Sequence, residues 1–173
     1  MLIAVFIFLV VILGLLLVSL ILPGKYHLEK TAIIKKSVPD VMDKIADLRH
    51  YAAWNPWQQS DPAAIGTITG IPKTIGHKYA WEGKKVGMGS LTLESMDNKH
   101  IHFLLEFFKP WKSQAKDNWL FEPWGDGGES KVTWQNSGGL PWPIARLMGP
   151  MLYKSLSKQF EQGLANLNKL VEG

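Results

Sequence analysis

Cysteine is absent from the chain, which excludes disulfides, thiolate metal sites and a cysteine nucleophile. Arginine is nearly absent too: only Arg49 and Arg146 occur, and every other basic side chain is a lysine, spread along the sequence. Recognition of phosphates and base edges leans on clustered Arg and Lys. The net charge of +4 therefore does not point to nucleic acid, and it fits mild attraction to an anionic membrane surface better. No Walker loop, dinucleotide fingerprint, nucleophile elbow or HExxH helix is present, and no set of residues nominates a metal or a cofactor. Gly87-Met88-Gly89 is a fragment of a glycine motif that better suits a bend in a strand.

Charge is missing altogether from Leu2 to Leu22, where Gly14 and Ser19 alone interrupt strongly apolar residues and Ala4. At about 1.5 Å per residue such a helix crosses a hydrocarbon core of roughly 30 Å. A cleaved secretory signal would need a basic leading region and a small-x-small cleavage site. The segment has neither and ends in Leu22-Pro23-Gly24-Lys25. Residues 1–23 are thus expected to be a single transmembrane anchor and residues 24–173 one soluble domain. Lys25, Lys30, Lys35, Lys36 and Lys44 follow the span closely, which places the domain on the cytoplasmic side by the positive-inside rule.

Beyond the anchor the hydrophobic period alternates between two and 3.6. Tyr26 to Lys35 reads as a strand, and Ser37-Val38-Pro39-Asp40 opens a helix with an N-cap serine, an early proline and an acid three places on. Val38, Val41, Met42, Ile45 and Leu48 continue that helix on one apolar face. A short aromatic helix or turn runs from Arg49 to Trp57, closed by Asn55-Pro56, and Ala64 to Thr69 is strand-like. A meander of antiparallel strands follows: His77 to Glu82, Val86 to Met96, His100 to Phe108, Ser113 to Glu122 and Ser130 to Asn136. After Pro141-Trp142-Pro143 a long apolar stripe runs from Ile144 through Phe160 to Leu170, and Gly149-Pro150 should break it into a short turn and a final helix.

This order of elements resembles the START-like superfamily, also called SRPBCC, which includes polyketide cyclase-like proteins. The resemblance covers residues 26–171. Its landmarks are Val38-Pro39-Asp40-Val41, Trp54-Asn55-Pro56-Trp57, Lys131-Val132-Thr133-Trp134 and the run Phe160-Glu161-Gln162-Gly163-Leu164-Ala165-Asn166-Leu167. It implies an α+β helix-grip fold: a curved antiparallel β-sheet around a long C-terminal α-helix, here preceded by one transmembrane helix. It also implies a cavity for an apolar molecule, without implying a reaction.

Strand faces then nominate a lining. Leu91, Leu93, Phe103, Leu105, Phe107, Trp119, Phe121, Val132 and Trp134 would come from the sheet, and Met151, Leu152, Leu156 and Phe160 from the helix. The same residues would equally make a solid core, because periodicity does not distinguish the two. Asn118, Asn136 or Tyr153 would supply polar selectivity. His100 and His102 share a strand face opposite Phe103 and Phe107, which makes them surface histidines without a third ligand. Glu94, Glu106, Asp117 and Glu122 lie on strands, and acid/base work would require one of them to face inward. Four of the eight tryptophans follow proline, at positions 57, 111, 124 and 142, which puts them at loops or element ends, either plugging gaps over the core or forming a rim at lipid headgroup level.

The leading expectation is a membrane-tethered binding or carrier domain for a lipid-like small molecule, with no catalytic residue nominated. A cyclase- or hydrolase-like enzyme using pocket carboxylates is the second reading, and a filled-core regulatory or protein-interaction domain the third.

Overall fold

The computed structural model describes residues 1–173. Helix α1 (Leu2–Ile21) has a mean hydropathy of 3.3 and is long and apolar enough to cross a membrane. Only 6% of its most apolar window is buried, so it is not a core helix of the domain that follows. Ser19, its one buried residue, donates its hydroxyl to the Leu16 carbonyl at 2.6 Å, which satisfies the polar group inside the helix itself.

The domain is a seven-stranded antiparallel sheet in the order β1-β7-β6-β5-β4-β3-β2. Its strands are β1 (Lys25–Ile34), β2 (Ile65–Thr69), β3 (Lys78–Gly83), β4 (Gly87–Met96), β5 (His100–Lys109), β6 (Ser113–Trp124) and β7 (Glu129–Gly139). Strand β7 returns beside β1, while α2 (Val38–Ala46), a 3-10 turn at Leu48–His50, α3 (Tyr51–Trp54) and α4 (Pro56–Ser60) fill the connection from β1 to β2. Helix α5 (Ile144–Glu172) lies against the sheet and touches β1, α3 and α4. Curvature comes partly from β4, whose register with β5 shifts at Met88/Gly89 and again at Leu93/Ser95. Gly89 is required at the first of these shifts, because a Cβ there would collide with the Glu106 carbonyl and the Trp81 ring.

Three local expectations need correction. Helix α5 is continuous through Pro150 rather than broken at Gly149-Pro150. A proline disfavours helical backbone in the preceding residue through that residue's Cβ and N–H; Gly149 has no Cβ, so the chain passes through with the loss of one hydrogen bond. Ser37 occupies the N-cap of α2 but does not cap it: its hydroxyl donates to Asp40 Oδ2 at 2.6 Å instead of accepting from a backbone N–H. Asn55-Pro56 starts a helix as well as ending one, since Asn55 Oδ1 accepts from the Trp57 N–H at 2.8 Å and Pro56 takes the first turn of α4.

Alternation along the strands sends one set of side chains inward. Cross-strand neighbours such as Leu93 and Phe103, Phe121 and Val132, and Trp119 and Trp134 are buried together. They meet α2 and the C-terminal half of α5, where Phe160, Leu164, Leu167 and Val171 are buried. The N-terminal half of α5 is different. Ile144, Met148 and Met151 are exposed and Leu152 and Leu156 only half-buried, because a gap separates this part of the helix from the sheet.

Candidate functional site

That gap is a cavity of about 790 Å³, within the size range of small-molecule sites. Its walls are mainly apolar: Leu91, Leu105 and Phe107 from the sheet, Leu152, Leu156 and Phe160 from α5, with Trp57 and Trp81 beside them. Its mouth is ringed by the turns β3–β4 and β5–β6, the β7–α5 connection and the first turn of α5. These supply exposed Trp111, Trp142 and Ile144 together with the exposed lysines Lys85, Lys109 and Lys112.

The far end is polar. Asp117 on β6 is buried, and its carboxylate accepts three hydrogen bonds: from Trp119 Nε1 at 2.9 Å, Trp134 Nε1 at 2.9 Å and Asn136 Nδ2 at 3.1 Å. Burial pushes its pKa up to about 6, and the donors from Trp134, Asn136 and Trp119 hold it from going higher. No basic side chain pairs with it. Tyr26 donates to Asn136 Oδ1 at 2.7 Å, and its own pKa is raised to about 12 by burial and by the Asp117 charge. Tyr51 is buried against Tyr79 and its pKa is pushed well up by burial, by Asp117 and by Tyr79. Tyr79 donates to Gln58 Oε1 at 3.1 Å. The hydroxyl of Tyr51 has no hydrogen-bond partner within the protein.

The floor is held rigid by aromatic packing. Trp134 is stacked between Trp119 at 4.4 Å and Phe160 at 3.8 Å, and Trp54 stands edge-on to both tryptophans at 5.6 Å. Such contacts contribute about 0.5–1.5 kcal/mol per pair beyond area burial. They also aim two indole N–H groups at one carboxylate.

No family model matches the chain, and no curated protein does. Solved structures match at low identity. An aromatase/cyclase from Streptomyces sp. R1128 shares 14% of residues at a TM-score of 0.62, covering 86% of this chain and 94% of its own. A Thermus thermophilus protein, TTHA0849, shares 16% at 0.63, covering 84% and 97%. Ara h 8.0201 shares 10% at 0.58, covering 86% and 98%. The domain shares the helix-grip fold of these structures.

Within this helix-grip domain the nominated lining divides. Leu91, Leu105, Phe107, Leu152, Leu156 and Phe160 border the cavity. Leu93, Phe103, Trp119, Phe121, Val132 and Trp134 do not: they form the solid core at the other end of the sheet, because alternation fixes the face a side chain takes and not its distance along the grip. Met151 is 63% exposed and points off the helix face that meets the cavity. Of the polar candidates only Asn136 belongs to the site; Asn118 bonds His102 Nδ1 at 2.9 Å on the outer face, and Tyr153 is exposed. Among the carboxylates, Asp117 faces in, Glu106 accepts from Gln114 on the outer face, and Glu122 pairs with Lys131 at 2.9 Å. His100 and His102 lie half-exposed, stacked at 6.0 Å, with Asp97 and Asn118 as partners. Trp111 and Trp142 ring the mouth, Trp57 packs edge-on against Trp134 and Phe160, and Trp124 ends β6 away from the cavity. Sequence reading overlooked Tyr26, Tyr51 and Tyr79. Each lies where a polar tip on an apolar ring is easily taken for core, and their convergence needs three separate elements.

Proposed function

We propose that the protein is a membrane-tethered binding module that holds a lipid-like or other apolar small molecule in its helix-grip cavity. The observation that carries this is the cavity's position relative to α1. Its mouth includes the β7–α5 connection, where the Leu140 N–H donates to the Gly24 carbonyl at 2.8 Å, three residues beyond the last residue of α1. An anchor over residues 1–23 would keep this opening near the membrane surface. There Trp111 and Trp142 suit the headgroup layer, and Lys85, Lys109 and Lys112 suit anionic lipid. The apolar walls favour a ligand of the same character. The lysines that follow α1 favour the cytoplasmic side for the domain.

Native mass spectrometry of the full chain released from nanodiscs tests the reading. A stoichiometric apolar adduct is expected, and Leu156→Trp, which fills the cavity from its helix wall, should remove it. A clean apo mass with no uptake from a lipid panel would overturn the proposal.

One observation favours a second reading. Asp117 is a carboxyl group inside the cavity with a pKa of about 6, as general acid or base chemistry near neutral pH would require. It is the only carboxylate lining the cavity, so such chemistry would rest on it alone. Turnover of any compound that Asp117→Asn abolishes, without loss of binding, would move the protein to this class. A filled-core interaction domain is disfavoured by the cavity itself.

A further inference from the structure

The polar floor is at odds with a purely apolar occupant. A ligand entering tail-first would press a terminal methyl group against a buried carboxylate and an unpaired tyrosine hydroxyl, leaving the hydroxyl and the carboxylate's remaining acceptor site without water or partner. Asp117 Oδ1 accepts a single hydrogen bond, from Trp119, and so keeps an acceptor site free. Asn136 is already committed to Asp117 and Tyr26, and Tyr79 to Gln58. The Tyr51 hydroxyl is uncommitted, and it lies in the electrostatic field of Asp117. Both residues are more than nine-tenths buried, and both line the cavity.

We propose that the cavity selects an amphiphile whose polar end donates hydrogen bonds, an alcohol or a protonated amine, and that this end is inserted first, onto Asp117 Oδ1 and the Tyr51 hydroxyl. The hydrocarbon portion then lies along Leu91, Leu105, Leu152 and Leu156 toward the mouth. A carboxylate or phosphate head is excluded from the floor, because it offers no donor and sets a second negative charge against the first. The three lysines do not alter this preference, since all are exposed at the mouth and none reaches the floor. This inference rests on the cavity being a site for apolar ligands and adds which end goes in and what chemistry that end must carry.

The test uses the full chain in phosphatidylcholine nanodiscs, titrated with the chain-matched probes decanol, decylamine and decanoate at neutral pH, with empty nanodiscs as the blank. At least one of the two donor-headed probes should bind about tenfold or more tighter than decanoate, the size expected for a hydrogen bond to a buried charged group. Preference for decylamine alone identifies a cationic head, and equal affinity for decanol identifies the hydroxyl as sufficient. Asp117→Asn should collapse the ratio of amine to carboxylate. Tyr51→Phe, which removes no bond within the protein, should weaken both donor probes by severalfold while leaving decanoate unchanged. Binding of decanoate as tight as the donor probes, or ratios that neither variant moves, would overturn the inference. Failure of all three probes to bind would count instead against the cavity as an apolar-ligand site.

Discussion

Asp117 links the chemistry of the cavity to the stability of the domain. Its pKa in the folded protein, about 6, lies above the ordinary 3.8, so the native state binds its proton more tightly than the unfolded chain does. Protonation therefore favours folding: the contribution is fully present below about pH 4 and is lost as pH rises through 6, by up to about 3 kcal/mol. Chemical denaturation of the wild type and Asp117→Asn across pH 4–7 should show the wild type losing stability relative to the variant as pH rises, and a constant difference would contradict the assignment. Asp47 works in the opposite direction outside this window. The Arg49 guanidinium, bonded at 2.6 Å, holds it down to about 2, so its contribution is present above about pH 4 and lost as pH falls through 2. Two leucines separate wall from core. Leu93→Ala should cost about 2–5 kcal/mol, as buried large-to-small changes do, and leave ligand preference intact. Leu152→Ala, at a half-buried wall position, should cost under about 1 kcal/mol and weaken binding.

Helix α5 does two jobs with one sequence. Its C-terminal half is clamped to the sheet so closely that Gly163 has no room for a side chain: an added Cβ would sit 2.8 Å from Trp134 Cζ3 and 3.3 Å from Pro56 Cδ. Trp134 is stacked on both faces and has nowhere to move. Gly163→Ala should therefore destabilise the domain by about 1–3 kcal/mol through overpacking, although helix propensity alone favours Ala by up to about 1 kcal/mol. Urea denaturation followed by tryptophan emission would measure it, and a gain in stability would mean that the helix lifts off the sheet easily. The N-terminal half of the same helix arches over the cavity, where Gly149 lets it run through Pro150.

Across the whole molecule, α1 leads into Gly24, Gly24 bonds Leu140 at the mouth, and the cavity extends from there to Asp117. Absence of cysteine makes the proposed orientation directly measurable. A single Lys158→Cys, at an exposed position of α5, should react with a membrane-impermeant maleimide only after the cells are permeabilised if the domain is cytoplasmic. Labelling of intact cells would place it on the other side. Deleting residues 1–21 should release the domain from the membrane fraction, because α1 is exposed nearly throughout.

Much of this architecture was legible from local pattern. The strands of the meander begin and end within a few residues of where alternation and turn residues put them, because side-chain period and turn chemistry are properties of adjacent residues. The apolar run before Lys25 is likewise a property of composition alone. Which inward residues become wall and which become core was decided only by the tertiary structure. Leu105 and Phe103 share a strand face and differ only in how far along the grip they lie, and that distance is set by where the sheet curves away from α5. The polar floor was also out of reach, since Asp117, Asn136, Tyr26 and Tyr51 come from four elements. Strand pairing between residues as far apart as 26 and 138 had to form before a lone aspartate became a buried, tryptophan-held carboxylate.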